Sequence, residues 1–166
     1  MSNMIDVMIV GAEKAGTTSL LNYLGQHPEV AIPGKYVGGV DKHDSGLEFA
    51  EFLSDTRAAP ERLRAQIAVV FGQVPDNVRV CLAKNVGIMY RPEAMARLRS
   101  HNPAAKTIVI LRSPIARAYS CFHYQQFRGE EELTDFDEAL RRESETDPQD
   151  LSMHTRYVFK SSYAEH

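Results

Sequence analysis

The chain has 166 residues with a formal net charge of −3, and 43% of its residues are hydrophobic. This length suits one domain that buries roughly two thirds of its unfolded surface, so we expect residues 1–166 to form a single domain. The charge excludes a protein that binds nucleic acid or anionic membranes through its whole surface, although an anionic ligand needs only a local cluster of cations. No segment has the length of a membrane span.

The cysteines and the N-terminus indicate a cellular compartment. Cys81 and Cys121 lie within apolar patterns and lack the spacing of a disulfide framework or a metal site, so we interpret them as reduced core residues. The N-terminus lacks a basic region followed by a long apolar segment, as a secretory signal would have. These features predict a soluble, cytoplasmic protein without a metal centre.

A glycine loop near the N-terminus is the most informative stretch. The apolar run 7–10 predicts a buried strand, and Gly11 and Gly16 then bracket four residues, as in a Walker A loop. Such a loop presents backbone N–H groups to an anion at the start of a helix, where Thr17 to Ser19 add hydroxyl groups. A Walker A loop has lysine directly after its second glycine, whereas here Lys14 lies inside the loop.

The remaining pattern alternates strands with helices, which predicts an α/β fold. Pro28 is expected to end the first helix and Thr134 to cap the last one, and we interpret the acidic run 130–132 as a solvated surface or the lead-in to a helix, and not as a metal site. The predicted helices are 17–26, 46–53, 60–71, 91–100, 115–127 and one beginning near 136, and the predicted strands after the first are 30–32, 78–83 and 107–111.

Two later strands end in cations. Lys84 follows the predicted strand 78–83, and Arg112 follows the strand 107–111, at the edge where open parallel sheets place their ligands. A guanidinium can bind a phosphate through two hydrogen bonds, and the hydroxyl of Ser120 on the next helix adds another donor. Arg117 belongs either to this pattern or to a structural ion pair.

Both motifs resemble those of sulfotransferases that use 3′-phosphoadenosine 5′-phosphosulfate (PAPS), especially carbohydrate sulfotransferases. The segment GAEKAGTTSL, continued by LLNYLGQHPEV, resembles their 5′-phosphosulfate loop, and RSPIARAYS resembles their 3′-phosphate segment. The resemblance implies a P-loop-like, three-layer α/β/α fold with a mainly parallel central sheet. The segment from Tyr157 resembles the start of a further family helix, so we expect this chain to be the N-terminal part of the family's fold, incomplete at its C-terminus.

The resemblance also implies a reaction, in which the sulfuryl group of PAPS moves to a hydroxyl or amine and adenosine 3′,5′-bisphosphate (PAP) is released. The acceptor would be a small molecule, a carbohydrate or a lipid. Lys14 would stabilise the leaving oxygen, while Lys84 would contact the sulfuryl group or orient the acceptor, unless it is an ordinary strand-end lysine. The residues expected to bind PAPS are Lys14, Ala15, Gly16, Thr17, Thr18, Ser19, Arg112 and Ser120.

The general base is absent from the two positions where this family places it. Tyr36 follows Lys35 where carbohydrate sulfotransferases have glutamate, and Val86 replaces the histidine of the cytosolic type. His43 is the substitute candidate, since it lies in the predicted loop 35–46 over the site; the alternative is an ordinary surface histidine. We interpret His123 as a helix-surface residue without a role.

Two other functions fit parts of the sequence. A nucleotide kinase or related NTPase would share the glycine loop, but the missing Walker lysine and the RSPIARAYS segment argue against it. A truncated or degenerate domain would bind PAP without turnover, which the vacant base positions leave open.

Overall fold

A computed structural model of the protein describes residues 4–35 and 60–165. The chain divides into two compact units, which we call the sheet unit (Met1–Gly11 and Gly16–Ile110) and the helical unit (Ala12–Ala15 and Leu111–His166). The predicted helix 46–53 and the loop that carries His43 lie outside the described residues. A single domain over residues 1–166 stays a prediction.

The sheet unit contains four parallel strands in the order β2-β3-β1-β4. Val7 of the first strand lies opposite Leu82 on one side and Lys106 on the other. The parallel arrangement confirms the predicted α/β fold. The strands are β1 (Val7–Gly11), β2 (Val30–Ala31), β3 (Val80–Lys84) and β4 (Lys106–Val109).

Helices cover both faces of this sheet, because successive side chains of a strand point to opposite faces. Ile9 packs with Leu21 of helix α1 (Thr17–Leu24) on one face. Met8 and Val10 pack on the other face with the buried residues of α2 (Pro60–Phe71) and α3 (Pro92–His101). The sheet unit therefore has the expected three layers.

The helical unit is built on α4 (Pro114–Arg128) and α5 (Phe136–Glu145). Its core consists of Ala118, Cys121, Phe122, Ala139 and Tyr157. After α5 the chain forms three single 3₁₀ turns, at Met153–Thr155, Phe159–Ser161 and Tyr163–Glu165. The further helix that the sequence suggested beyond Tyr157 is thus represented by two 3₁₀ turns.

The predicted helices 91–100 and 115–127 are each within one residue of the observed bounds, whereas the end of α1 and the cap of α5 differ from prediction for identifiable reasons. Helix α1 ends at Leu24, before Pro28, because the next residue, Gly25, is a poor helix former and caps the helix. An added Cβ at Gly25 would lie 2.5 Å from the Ile32 side chain. Helix α5 is capped by Asp135, whose carboxylate accepts a hydrogen bond of 3.0 Å from the Glu138 N–H group, and so the assignment of the cap to Thr134 was wrong.

Two burial predictions were also wrong. The apolar run at 107–111 is typical of a buried strand, but β4 lies at an edge of the sheet that the described residues form, and Val109 is 50% exposed. Glu131 was expected to be solvated, but its side chain is fully buried. It accepts hydrogen bonds from the Arg142 guanidinium at 2.9 and 2.5 Å and from the Tyr157 hydroxyl at 2.7 Å, which compensate for its lost hydration.

Within residues 4–35 and 60–165, none of the helices combines the length and the apolar character of a membrane span.

Candidate active site

The two glycines of the loop lie at positions that would displace or strain other residues. A Cβ atom at Gly11 would lie 2.5 Å from the Met89 sulfur atom, so any larger residue at the end of β1 would force the Met89 side chain to shift. Gly16 has φ of 97° and caps helix α1, a left-handed conformation that glycine adopts without strain. The loop therefore leads directly into a helix N-terminus, whose first N–H groups have no partner within the helix.

In the sheet unit, a cation lies beside this helix N-terminus. Lys84 is the last residue of β3, and its Nζ atom donates a hydrogen bond of 3.2 Å to the Thr18 hydroxyl oxygen. Thr18 and Ser19 are exposed, whereas Thr17 is buried. The prediction that Lys84 lies at a strand end is confirmed. An ammonium group, hydroxyl groups and helix N–H groups together suit an anionic ligand.

In the helical unit, Arg112 contacts the part of the loop that contains Lys14. Its Nη1 atom donates a hydrogen bond of 3.1 Å to the Lys14 carbonyl oxygen. The Lys14 backbone has φ of 65°, and its Nζ atom lies 3.7 Å from the centre of the Tyr124 ring, a cation–π distance. Tyr124 is one helical turn beyond Ser120 on α4, so both residues lie on one side of the helix.

Arg117 is a structural residue. It is fully buried, and it donates hydrogen bonds to the Tyr157 carbonyl oxygen at 2.6 Å and to the Ser161 hydroxyl at 2.7 Å. Both of these partners are neutral groups. Arg117 therefore has a structural role, as one of its two interpretations proposed, but through these hydrogen bonds to a carbonyl and a hydroxyl and not through an ion pair with them.

The predicted site residues are distributed over both units. The structure brings Lys84 to Thr18 and Arg112 to Lys14, while His43 lies outside the described residues. Contact of any of them with PAPS stays a prediction. The sheet unit carries Gly16, Thr17, Thr18, Ser19 and Lys84, and the helical unit carries Lys14, Ala15, Arg112 and Ser120.

Sequence reasoning missed two features of this region, the Tyr124 ring beside Lys14 and the ion pair of Glu13. The spacing of Ser120 and Tyr124, one helical turn apart, was the available signal for the ring. The ion pair of Glu13 with Lys160, with a Nζ–Oε2 distance of 2.6 Å, had no such signal because 147 positions separate the two residues.

Both cysteines are free, as predicted. Burial and the nearby Asp6 carboxylate raise the pKa of Cys81 to about 11. Burial also raises the pKa of Cys121, with a further contribution from Glu13. The thiolate form, which is the reactive one, is therefore disfavoured at both positions.

The glycine loop, Lys84 and Arg112 lie within one continuous match to a known family. Residues 6–161 match the model of the Sulfotransferase family. The chain belongs to the sulfotransferase family. This membership favours sulfuryl transfer over the nucleotide kinase alternative.

Individual sulfotransferases show the same similarity. The chain is 27% identical over 121 residues to bifunctional heparan sulfate N-deacetylase/N-sulfotransferase 1 of Caenorhabditis briggsae, a match that covers 70% of this chain and 12% of the relative. It is 31% identical over 114 residues to heparan sulfate glucosamine 3-O-sulfotransferase 6 of Mus musculus, which covers 68% of this chain and 28% of the relative.

A solved structure extends the comparison to the fold. The crystal structure of a sulfotransferase from Alicyclobacillus acidocaldarius matches with a TM-score of 0.73 and 26% identity, covering 97% of this chain and 65% of that chain. This similarity supports the predicted P-loop-like fold. The chain spans less than two thirds of the length of each of these three proteins.

Proposed function

We propose that the protein transfers the sulfuryl group of PAPS to a hydroxyl or amine of a carbohydrate acceptor and releases PAP. The observation that carries the proposal is the family match over residues 6–161, which contains both the glycine loop and the RSPIARAYS segment. The relatives named for N-sulfation and 3-O-sulfation of heparan sulfate support an amino sugar as the acceptor class.

The described residues fit an anionic nucleotide. In this proposal the helix N-terminus at Gly16 to Ser19 binds the 5′-phosphosulfate, where Lys84 adds a positive charge beside Thr18. Arg112 and Ser120 bind the 3′-phosphate. Arg112 is exposed, and a guanidinium has five N–H donors, so its hydrogen bond to the Lys14 carbonyl leaves donors for a phosphate.

In this reaction Lys14 acts on the leaving oxygen, and Lys84 acts on the sulfuryl group or the acceptor. The bond between sulfur and the bridging oxygen of PAPS breaks as a bond from sulfur to the acceptor oxygen or nitrogen forms. Lys14 places its positive charge where the bridging oxygen gains negative charge, which stabilises the transition state more than the bound substrate. Lys84 orients the sulfuryl group or the acceptor.

His43 is proposed as the base that takes the acceptor proton. The proposal follows from its place in the segment between β2 and α2, where Asp41 and Asp44 flank it, and from the family base positions occupied by Tyr36 and Val86. A histidine suits this task because its ordinary pKa is near neutral pH.

The test is transfer of radiolabel from PAPS to glucosamine-containing oligosaccharides by the 166-residue chain. We expect Lys14→Met to lower kcat by roughly 100-fold or more and to change PAP affinity little, because Lys14 acts mainly on charge that develops during transfer. Lys106→Met, which removes an exposed lysine from β4, is the matched control and should behave as the wild type. Binding of PAP without transfer to any acceptor would refute the proposed activity.

A further inference from the structure

Glu13 directly precedes Lys14 in the glycine loop and is paired with a distant lysine. The Nζ atom of Lys160 lies 2.6 Å from the Glu13 carboxylate, and the two side chains are 7% and 17% exposed respectively. Water and salt screen a pair with so little exposure much less than a surface pair. A largely buried carboxylate without its cation would be energetically costly, so the pair keeps the Glu13 side chain next to Lys160.

The segment that carries Lys160 is held by two buried or partly buried side chains. The Glu143 carboxylate accepts hydrogen bonds of 2.6, 2.8 and 2.9 Å from the backbone N–H groups of residues 157–159. The fully buried Arg117 binds the Tyr157 carbonyl oxygen and the Ser161 hydroxyl on either side of Lys160. The backbone on both sides of Lys160 is therefore held in place, and the Lys160 ammonium group contacts Glu13 from a fixed position.

Lys14 has an unusual backbone that requires such support. It is the one residue other than glycine with positive φ, at 65°, in the described part of the chain. Side-chain-bearing residues hold this left-handed conformation at a cost, and they do so where the surrounding contacts determine it. The contacts here are the Glu13–Lys160 pair on one side and the Arg112 hydrogen bond to the Lys14 carbonyl on the other.

We propose that Lys160 is a positioning residue for Lys14 and acts through Glu13. The proposal rests on the proposed sulfuryl transfer, in which Lys14 stabilises the leaving oxygen. Lys160 restrains the residue before Lys14, Arg112 restrains its carbonyl group, and the Lys14 side chain therefore starts from a defined backbone position.

Loss of this restraint should affect rate more than affinity. A displacement of about 1 Å in a catalytic group lowers the rate by roughly 100-fold. Lys160→Met keeps the length of the side chain and removes its charge, so we expect kcat to fall by roughly 30- to 100-fold. The dissociation constant of PAP should change by less than about threefold, because PAP lacks the sulfuryl group whose departure Lys14 assists.

The experiment compares three variants of the 166-residue chain. Lys160→Arg keeps the cation and should recover most of the wild-type kcat. Arg142→Met is the matched control, since it breaks another ion pair of the helical unit, in which the partly exposed Arg142 lies 2.5 Å from the buried Glu131. We expect Arg142→Met to lower the melting temperature while kcat per folded molecule stays at the wild-type value.

A second readout does not depend on turnover. The backbone amide resonances of Ala15 and Gly16, measured by NMR, should shift in Lys160→Met and stay in place in Arg142→Met. Equal losses of kcat in both methionine variants, or unmoved resonances in Lys160→Met, would overturn the positioning role. If the wild type binds PAP but transfers no sulfuryl group, the proposed function fails, and the resonances still decide whether Lys160 positions the loop.

Discussion

Arg112 provides the most direct residue-scale test of the nucleotide assignment. PAP and adenosine 5′-phosphate differ by one 3′-phosphate, and the exposed Arg112 guanidinium is assigned to that group. We expect Arg112→Ala to weaken PAP binding by roughly 10- to 100-fold, the loss typical of a charge-assisted hydrogen bond, and to weaken adenosine 5′-phosphate far less. Titration calorimetry with both ligands measures the difference.

Arg79→Ala is the control for this measurement, because Arg79 is an exposed arginine that pairs with Glu29 in the sheet unit. It should leave both affinities unchanged. Losses of equal size for both ligands in Arg112→Ala would show that Arg112 supports the loop through its Lys14 hydrogen bond and does not bind the 3′-phosphate.

His43 is tested through the pH dependence of transfer. If His43 removes the acceptor proton, kcat should fall as the pH drops below about 6.5, where histidine becomes protonated. His43→Ala should lower kcat by roughly 100-fold and flatten this acidic limb. His123→Ala is the matched control, since His123 is exposed and its Nδ1 atom lies 2.9 Å from Gln126. An unchanged limb in His43→Ala would assign the base to another residue.

At the scale of single elements, the start of α5 has two neighbouring residues that could cap the helix, and mutations can distinguish them. Asp135 accepts the hydrogen bond from the Glu138 N–H group, whereas Thr134 was expected to do so from the sequence. Asp135→Ala should lower the free energy of unfolding by about 1 kcal/mol. Thr134→Ala should change it by less than about 0.5 kcal/mol, the usual range for a surface substitution.

Urea unfolding of the two variants at neutral pH is the measurement for α5. A larger loss in Thr134→Ala than in Asp135→Ala would contradict the observed cap. The sequence allowed both assignments because serine, threonine, aspartate and asparagine are all good caps, and only the backbone geometry selects one of two neighbours.

At the scale of the whole molecule, the buried Glu131 couples stability to pH. Burial opposes its ionisation, but hydrogen bonds from Arg142, Tyr157 and the Leu133 N–H group outweigh that effect and hold the pKa of Glu131 below its usual range. A carboxyl group with a lowered folded-state pKa contributes stability that is complete above its unfolded pKa and is lost as the pH falls through the folded value. Glu131 should therefore stabilise the protein at neutral pH and progressively less in acid.

Urea unfolding at several pH values measures this contribution. We expect Glu131→Gln to lose about 2 kcal/mol at pH about 7 and to converge with the wild type as the pH approaches about 3. The control is Glu130→Gln, since Glu130 pairs only with the partly exposed side chains of Arg128 and His154 among the contacts described, and such pairs contribute little. A wild-type advantage of the same size at both pH extremes would contradict the assignment.

The sequence by itself was sufficient to predict the parallel α/β fold, the glycine loop and the family. The reason is that these features depend on neighbouring residues: an apolar run such as 7–10 indicates a buried strand, and Gly16 marks the left-handed turn before α1. Helix α2 was predicted at its observed bounds, Pro60–Phe71, for the same reason. The cytoplasmic location inferred from the cysteines stays a prediction.

Only the tertiary structure decided how the loop is supported and which charges are buried. Lys160 reaches Glu13 across 147 positions, and Glu131 becomes buried because Arg142 and Tyr157 arrive from later segments of the chain. The exposure of β4 likewise depends on its place at an edge of the sheet. These contacts join residues that are distant in sequence, so no local pattern predicts them.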